Sequence, residues 1–304
     1  RDGLQIEREG VTLDEKFELL EKMVDAGLSR MVVGAFVNPK WSPQMADSLA
    51  LVKRLKARPG VSFYVLALNE RGRVERLQHS PPVTVEPIQA THLHICPVFI
   101  KRNTNRSLEE QEHTWLSPIQ RAKAEGLTEG GIGLSAGWGS NWSGQFSHET
   151  RMQSLSKQYH AWQEAGIPVK RVDMADPMAW NTPTAVAQDM LAIKELFPSI
   201  TDFHLHLHNA RGLAMLSMYE AIKCLDHRHT LIADTTIGGI GGCPYCGNGQ
   251  ATGMIPTEDF VHLLDTLGIP TGIRVDRLIE VSARLSEILG RPLHSQVAMN
   301  GGLP

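Results

Sequence analysis

Seven short β-rich apolar runs recur along the chain, spaced about 30–40 residues apart, and this repeat limits the fold more than any other feature. They are SRMVVGAF (29–36), VSFYVLAL (61–68), ATHLHICPVF (90–99), GGIGLSA (130–136), VKRVDMAD (169–176), DFHLHLHN (202–209) and HTLIADTT (229–236). Amphipathic stretches separate them, among them residues 12–27, 147–166 and 182–198. Thr12 with Glu15 predicts a capping box, and Gly27 a helix stop. Thr182-Pro183 predicts a helix start with proline in its first turn. Strands alternating with helices at this spacing predict repeated βα units and a parallel sheet. An eighth strand before the first helix would close a barrel, and RDGLQ stands where its end should be. The chain is thus expected to begin inside strand one. Two more helices are predicted over 256–268 and 275–290. The expected fold is α/β, a TIM (β/α)8 barrel with additional C-terminal helices. It would form one domain over 1–304, with the barrel and its loop in 1–255 and the added helices in 256–304. No G-x-G-x-x-G opens a first helix, which argues against a dinucleotide fold.

The 304 residues are 42% hydrophobic and 21% charged, enough apolar material for one large core. Thirty Lys and Arg against 33 Asp and Glu leave a net charge of −3, which favours neither nucleic acid nor an anionic membrane as partner. The one basic run, Lys53 to Arg58, falls at a predicted helix end, where cations suit the dipole. Four cysteines (Cys96, Cys224, Cys243, Cys246) are too few for a disulfide framework, so a reducing compartment and a cytoplasmic location are expected. No apolar run reaches membrane-spanning length, and no signal peptide is recognisable.

In a barrel of this kind chemistry sits at the C-terminal ends of the strands, which shortens the list of candidates. His204, His206 and His208 alternate, so a strand would point all three to one face. They could ligate a divalent ion or be hydrogen-bonded interior polar groups. His92 and His94 repeat the pattern further from their strand's end and read as interior fillers. Asp176 ends its strand as either a working carboxylate or a turn cap. Arg1 and Asp2 could hold an anionic oxygen and a metal, or form an exposed turn. Asn209 reads as a cap of the following helix. The stretch GGCPYCGNG carries a C-x-x-C with no second pair to complete a zinc site, and it leads into glycines rather than into a helix. One working thiol on a glycine-flanked loop fits it, as do two incidental cysteines.

These fragments occur together, in order, in one family. RDGLQ-x-E at the start, FVNPKWSPQMAD (36–47), HLHNARG (206–212 with its flanking strand), GGIGGCPY and TEDFVHLL (257–264) resemble 3-hydroxy-3-methylglutaryl-CoA lyase, of the DRE-TIM metallolyases. The resemblance implies a metal held by Asp2, His206 and His208, with Arg1 beside it. It makes Asp176 an assisting strand-end aspartate, Cys243 the loop thiol and Glu258 a supporting residue. Two positions depart from the family pattern. Val32 stands where a glutamate is expected, and Met254 where an asparagine ligand is expected; Asn248, in a longer loop, is the candidate replacement ligand.

The implied reaction is metal-dependent cleavage of a 3-hydroxyacyl-CoA to acetyl-CoA and a keto acid. Mg²⁺ or Mn²⁺ is the expected ion, an acyl-CoA the expected partner, and a homodimer is compatible with the reading. Asp176, His206 or a metal-bound water would take the hydroxyl proton, Arg1 would face the thioester enolate, and Cys243 would protonate it. The alternatives are an aldolase or condensing enzyme acting on a 2-oxo acid, an inactive barrel that binds ligands or partners, and a thiol–disulfide oxidoreductase using Cys243 and Cys246.

Overall fold

The computed structural model describes every residue except 2, 8, 9, 41, 68, 244–252 and 304. Two of the expected site residues, Asp2 and Asn248, and also Cys246, lie outside the described residues. The chain forms two compact units: residues 1–86, 235–242 and 255–304, and residues 87–234 with 243–254.

In the first unit, α1 (Leu13–Asp25) begins with the predicted capping box. Thr12 Oγ1 accepts from the Glu15 amide at 3.2 Å, and the Thr12 amide donates back to Glu15 at 2.8 Å. Gly27 follows at φ 101°, a left-handed stop that glycine adopts without penalty. Strands β1 (Arg30–Phe36) and β2 (Ser62–Ala67) pair in parallel. Between them, α2 (Ser48–Arg54) ends in Lys53 and Arg54, as the basic run predicted. α3 (Glu70–Gln78) follows β2. Met31 and Val33 of β1 turn inward with Leu51, Val52, Phe63 and Val65 to form one core. Helices over Thr257–Thr266 and Val275–Leu289 match the two expected ones, and a short helix follows over Gln296–Asn300. Leu278, Val281 and Leu285, at helical spacing, pack with Leu19, Ile237 and Val261 as a second core. RDGLQ shows no strand among its described residues; Leu4–Ile6 is a single 3-10 turn.

The second unit corrects one expectation. The run at 90–99 is not a continuous strand. It holds two-residue strands β3 (Gln89–Ala90) and β4 (Leu93–His94), and α4 (Pro97–Thr104) starts within it. Pro97 in the first helical turn and Cys96, whose sulfur accepts from the Phe99 amide at 3.4 Å, start that helix early. His94 therefore stands at its strand's end, not in its interior. After α5 (Leu108–His113) and α6 (Leu116–Ala124) comes β5 (Gly130–Ser135), then a hairpin of β6 (Gly139–Ser140) and β7 (Gly144–Gln145). Three further βα steps follow: α7 (His148–Glu164), β8 (Val169–Asp176), α8 (Pro183–Leu196), β9 (Asp202–Leu207), α9 (Ala214–Cys224) and β10 (Thr230–Ala233). The strands lie parallel in the order β10-β9-β8-β5-β3, with β4 also on β5. Thr182 caps α8 as predicted, accepting from the Ala185 amide at 3.3 Å. Among the described residues no helix is long and apolar enough to cross a membrane.

Candidate functional site

Strand alternation decides which side chains of β9 meet. Phe203, Leu205 and Leu207 are buried on one face, while His204 and His206 share the other. His208 follows just beyond the strand and is also buried. Parallel register sets Asp173 of β8 directly beside His204, and Ala175 beside His206. The result is a continuous polar chain. His204 Nδ1 lies 2.8 Å from Asp173 Oδ1, and its Nε2 lies 3.0 Å from Asp234 Oδ1. Asp234 Oδ2 is 2.8 Å from His206 Nδ1, and His206 Nε2 is 3.1 Å from His208 Nε2.

The charges follow from this contact set. Burial works against the His204 cation, but the Asp234 and Asp173 carboxylates outweigh it and push the imidazole up to about 10. Burial likewise opposes the charged form of Asp234, yet the His204 cation and the bonds from both imidazoles hold that carboxyl well below its usual range. Asp173 is lowered too, against burial, by the bond from His204 and the nearby Arg171 charge.

The two facing imidazoles suit a divalent cation. With Asp234 accepting from His206 Nδ1, His206 Nε2 is left to face His208 Nε2, and the two rings share a hydrogen bond at 3.1 Å. Two nitrogens bound at about 2.1 Å and at right angles to one ion are about 3 Å apart, the separation observed here. Among the described residues no group of three His, Cys, Asp or Glu side chains is placed to hold an ion. The chain therefore offers a two-imidazole edge. The resemblance assigns further ligation to Asp2 and Asn248. Met254 forms a backbone bridge with His208, so the position where an asparagine ligand was expected does sit beside the imidazoles, but with an apolar side chain.

Asp176 is fully buried at the end of β8. Its Oδ2 accepts from the Asn181 amide at 2.5 Å and from Asn181 Nδ2 at 2.7 Å, and Asn181 Nδ2 also lies 3.5 Å from the His208 carbonyl. Its Oδ1 has no hydrogen-bond partner. Burial raises the Asp176 carboxyl despite those bonds, so it is primed to hold or accept a proton. Cys243 packs with Met178 and Ala179, two and three residues after Asp176, with Ala210, two after His208, and with Cys96, Phe99, Trp142 and Trp180. Cys96 and Cys224 are free thiols. Asn209 behaves as predicted, its Oδ1 accepting from the Ala214 amide at 3.1 Å at the head of α9.

Arg1 and Glu258 belong to the first unit. The Arg1 backbone nitrogen donates to the Val32 carbonyl at 2.9 Å. Val32 itself is 45% exposed, an apolar side chain on the β1 face opposite the core. Buried Glu258 accepts from the Gly238 amide with both oxygens at 3.0 Å, which ties down the start of the loop that carries the thiol. Gly241 and Gly242 that follow have φ 110° and 134°.

Three residues of this site are not singled out by the sequence: Asp234, Asp173 and Asn181. Asp234 had a usable signal, since it stands near the end of the β-run before the glycine loop, where barrel chemistry concentrates. Asp173 and Asn181 had none, because their roles depend on the register of β8 against β9 and on the turn after β8.

Comparison with known proteins identifies the family. The sequence model of the HMGL-like family matches residues 1–285. The (R)-citramalyl-CoA lyase of Chloroflexus aurantiacus is 35% identical over 315 residues, covering 99% of this chain and 92% of the relative. Mitochondrial hydroxymethylglutaryl-CoA lyase of Bos taurus is 29% identical over 298 residues, covering 98% and 86%. The solved HMG-CoA lyase of Acinetobacter baumannii, in complex with coenzyme A and 3-methylmalate, matches with a TM-score of 0.81 at 25% identity over 99% of this chain and 92% of that one. The fold class is that of these lyases, an α/β TIM barrel with additional C-terminal helices. Matched from Arg1 into the second C-terminal helix, the chain belongs to the HMGL-like family, as a divergent DRE-TIM carbon–carbon lyase.

Proposed function

We propose that the chain is a divalent-metal-dependent lyase that cleaves a 3-hydroxy-3-methylglutaryl-CoA-like 3-hydroxyacyl-CoA to acetyl-CoA and a keto acid. The convergence of His206 Nε2 and His208 Nε2 at 3.1 Å, backed by Asp234, carries this reading. Residues 1–304 act in it as one lyase domain. The relatives named for acyl-CoA cleavage and the solved relative holding coenzyme A support an acyl-CoA substrate. An ion held by His206 and His208, with Asp2 and Asn248 completing the set, would supply Lewis acidity to the substrate oxygens; Mg²⁺ or Mn²⁺ suits such a mixed set.

The chain's own residues then account for the proton movements. Asp176 Oδ1, buried and otherwise unpartnered, takes the C3 hydroxyl proton. The C2–C3 bond breaks, its electron pair stays on C2 as the thioester enolate, and C3 becomes the ketone carbon. The family resemblance assigns stabilisation of the enolate oxygen to Arg1. The Cys243 thiol gives its proton to C2 and forms acetyl-CoA, and the thiolate recovers a proton from Asp176 through solvent. Val32 in place of a carboxylate removes a negative charge, and so favours an acyl group that differs from 3-hydroxy-3-methylglutaryl.

The test is acetyl-CoA release from a panel of 3-hydroxyacyl-CoA thioesters, including 3-hydroxy-3-methylglutaryl-CoA and citramalyl-CoA, with Mg²⁺ or Mn²⁺ and with chelator. Turnover of at least one thioester, abolished by chelator and restored by Mn²⁺, is expected. Cleavage of a free hydroxy-2-oxo acid in preference to every thioester would favour the aldolase reading. Absence of any Mn²⁺ binding would leave only the inactive barrel.

A further inference from the structure

Behind the paired imidazoles lies a second layer of charge that the lyase reaction does not itself use. Arg171 Nε is 3.3 Å from Asp173 Oδ1, that same oxygen is 2.8 Å from His204 Nδ1, and His204 Nε2 is 3.0 Å from Asp234 Oδ1. Both ring nitrogens of His204 therefore face carboxylate oxygens. Nδ1 is hydrogen-bonded to Asp173, whereas Nε2 makes a 3.0 Å ion pair with Asp234 that lacks hydrogen-bond alignment. With His204 charged, Arg171 and His204 balance Asp173 and Asp234 in a half-buried quartet. Its geometry follows from register: Asp173 is the direct neighbour of His204 across β8 and β9, and Ile232 of β10 is its neighbour on the other side, two residues before Asp234.

We propose that His204 is a positioning residue of the metal centre: clamped between Asp173 and Asp234, it fixes the carboxylate that orients His206. The inference rests on the metal-dependent reading given above. Asp234 has one oxygen on each imidazole, so its plane is set by two contacts rather than one. Held by His206 alone, the carboxylate can rotate about its side-chain bonds and carry the His206 ring with it, and the 3.1 Å approach to His208 Nε2 is lost. His204 touches neither ion nor substrate in this arrangement. It acts through Asp234, and Asp173 with Arg171 anchors its other side.

The experiment measures Mn²⁺ affinity of the full chain by electron paramagnetic resonance, for wild type, His204→Leu, His204→Gln, Asp234→Asn and the His204→Leu/Asp234→Asn double variant. Loss of a partner that orients a metal-bound histidine weakens metal binding by about 10–100-fold, and His204→Leu should fall at the lower end. His204→Gln keeps one donor and should bind between wild type and His204→Leu. If His204 works through Asp234, the double variant binds no more weakly than Asp234→Asn alone. Nitrogen-15 spectra of the labelled histidines give a readout that a general loss of stability would not move. Wild-type His206 should show a single Nδ1–H tautomer, and His204→Leu a mixture. Should His204→Leu fail to fold, His204→Gln carries the same comparison. Wild-type Mn²⁺ affinity within about twofold in folded His204→Leu or His204→Gln, or fully additive losses in the double variant, overturns the proposal. Wild-type protein that binds no Mn²⁺ overturns the metal reading beneath it, a distinguishable failure.

Discussion

Asp176→Asn should make the protein more stable while making it a much poorer enzyme. The carboxyl is fully buried, has no cation against it among its described partners, and leaves Oδ1 without a hydrogen bond. Burial holds its pKa above the ordinary aspartate value of 3.8. The asparagine oxygen can keep both bonds from Asn181, at 2.5 and 2.7 Å in the wild type, while the buried negative charge disappears. Relief of a buried, incompletely compensated charge is worth about 1–3 kcal/mol, and each kcal/mol moves the melting point of a domain approaching this size by about 2–4 °C. The sign with pH follows from linkage. A carboxyl raised in the folded state contributes stability when protonated; that contribution is present below 3.8 and lost as pH rises through the folded value. The variant should thus melt about 2–12 °C above wild type at pH 8 in chelator, with the gap closing toward pH 4. Turnover should fall by about 10²-fold or more, because Oδ1 can no longer accept the hydroxyl proton. Thermal melts of both proteins across this pH range decide the matter. A variant that melts below wild type at pH 8, or a gap that does not change with pH, would refute the reasoning.

Cys243→Ala should fold and bind Mn²⁺ as wild type does but lose about 10²–10⁴-fold in acetyl-CoA formation, and near-normal turnover would remove the thiol from the mechanism. Gly238→Ala places a left-handed alanine at φ 64° with its Cβ 2.3 Å from Leu293 Cδ1. A denaturant titration should show a loss of about 2–4 kcal/mol. Met254→Asn, beside His208, should tighten Mn²⁺ binding by about tenfold by adding an oxygen ligand, as calorimetry would show. Thr12→Ala breaks the capping box of α1 and should cost about 1 kcal/mol in the same denaturant assay.

Much of this was legible in the residues because it is local. Helix starts at Thr12 and Thr182 need only a side-chain oxygen three residues before an amide, and both formed as read. The period of two in HLHLH put His204 and His206 on one face before any neighbour was known, while His208 falls just past the strand. Where the local signal was mixed, the reading failed: 90–99 is β-rich in composition, but Cys96-Pro97 starts a helix inside it.

What the sequence alone determined is the set of groups and the faces they occupy: the paired imidazoles, the strand-end aspartate and the thiol among glycines. What only tertiary structure decided is which charges meet. Asp173, His204 and Asp234 are 31 and 30 residues apart in the chain, yet lie within 3.0 Å of one another in turn because three parallel strands align in one register. Periodicity within a strand fixes its face, but pairing between strands is non-local, and a slip of one residue would send every such side chain to the other side. The protonation of His204, the tautomer of His206 and the unpartnered oxygen of Asp176 all follow from that alignment and from the Asn181 turn, none of which a linear pattern carries.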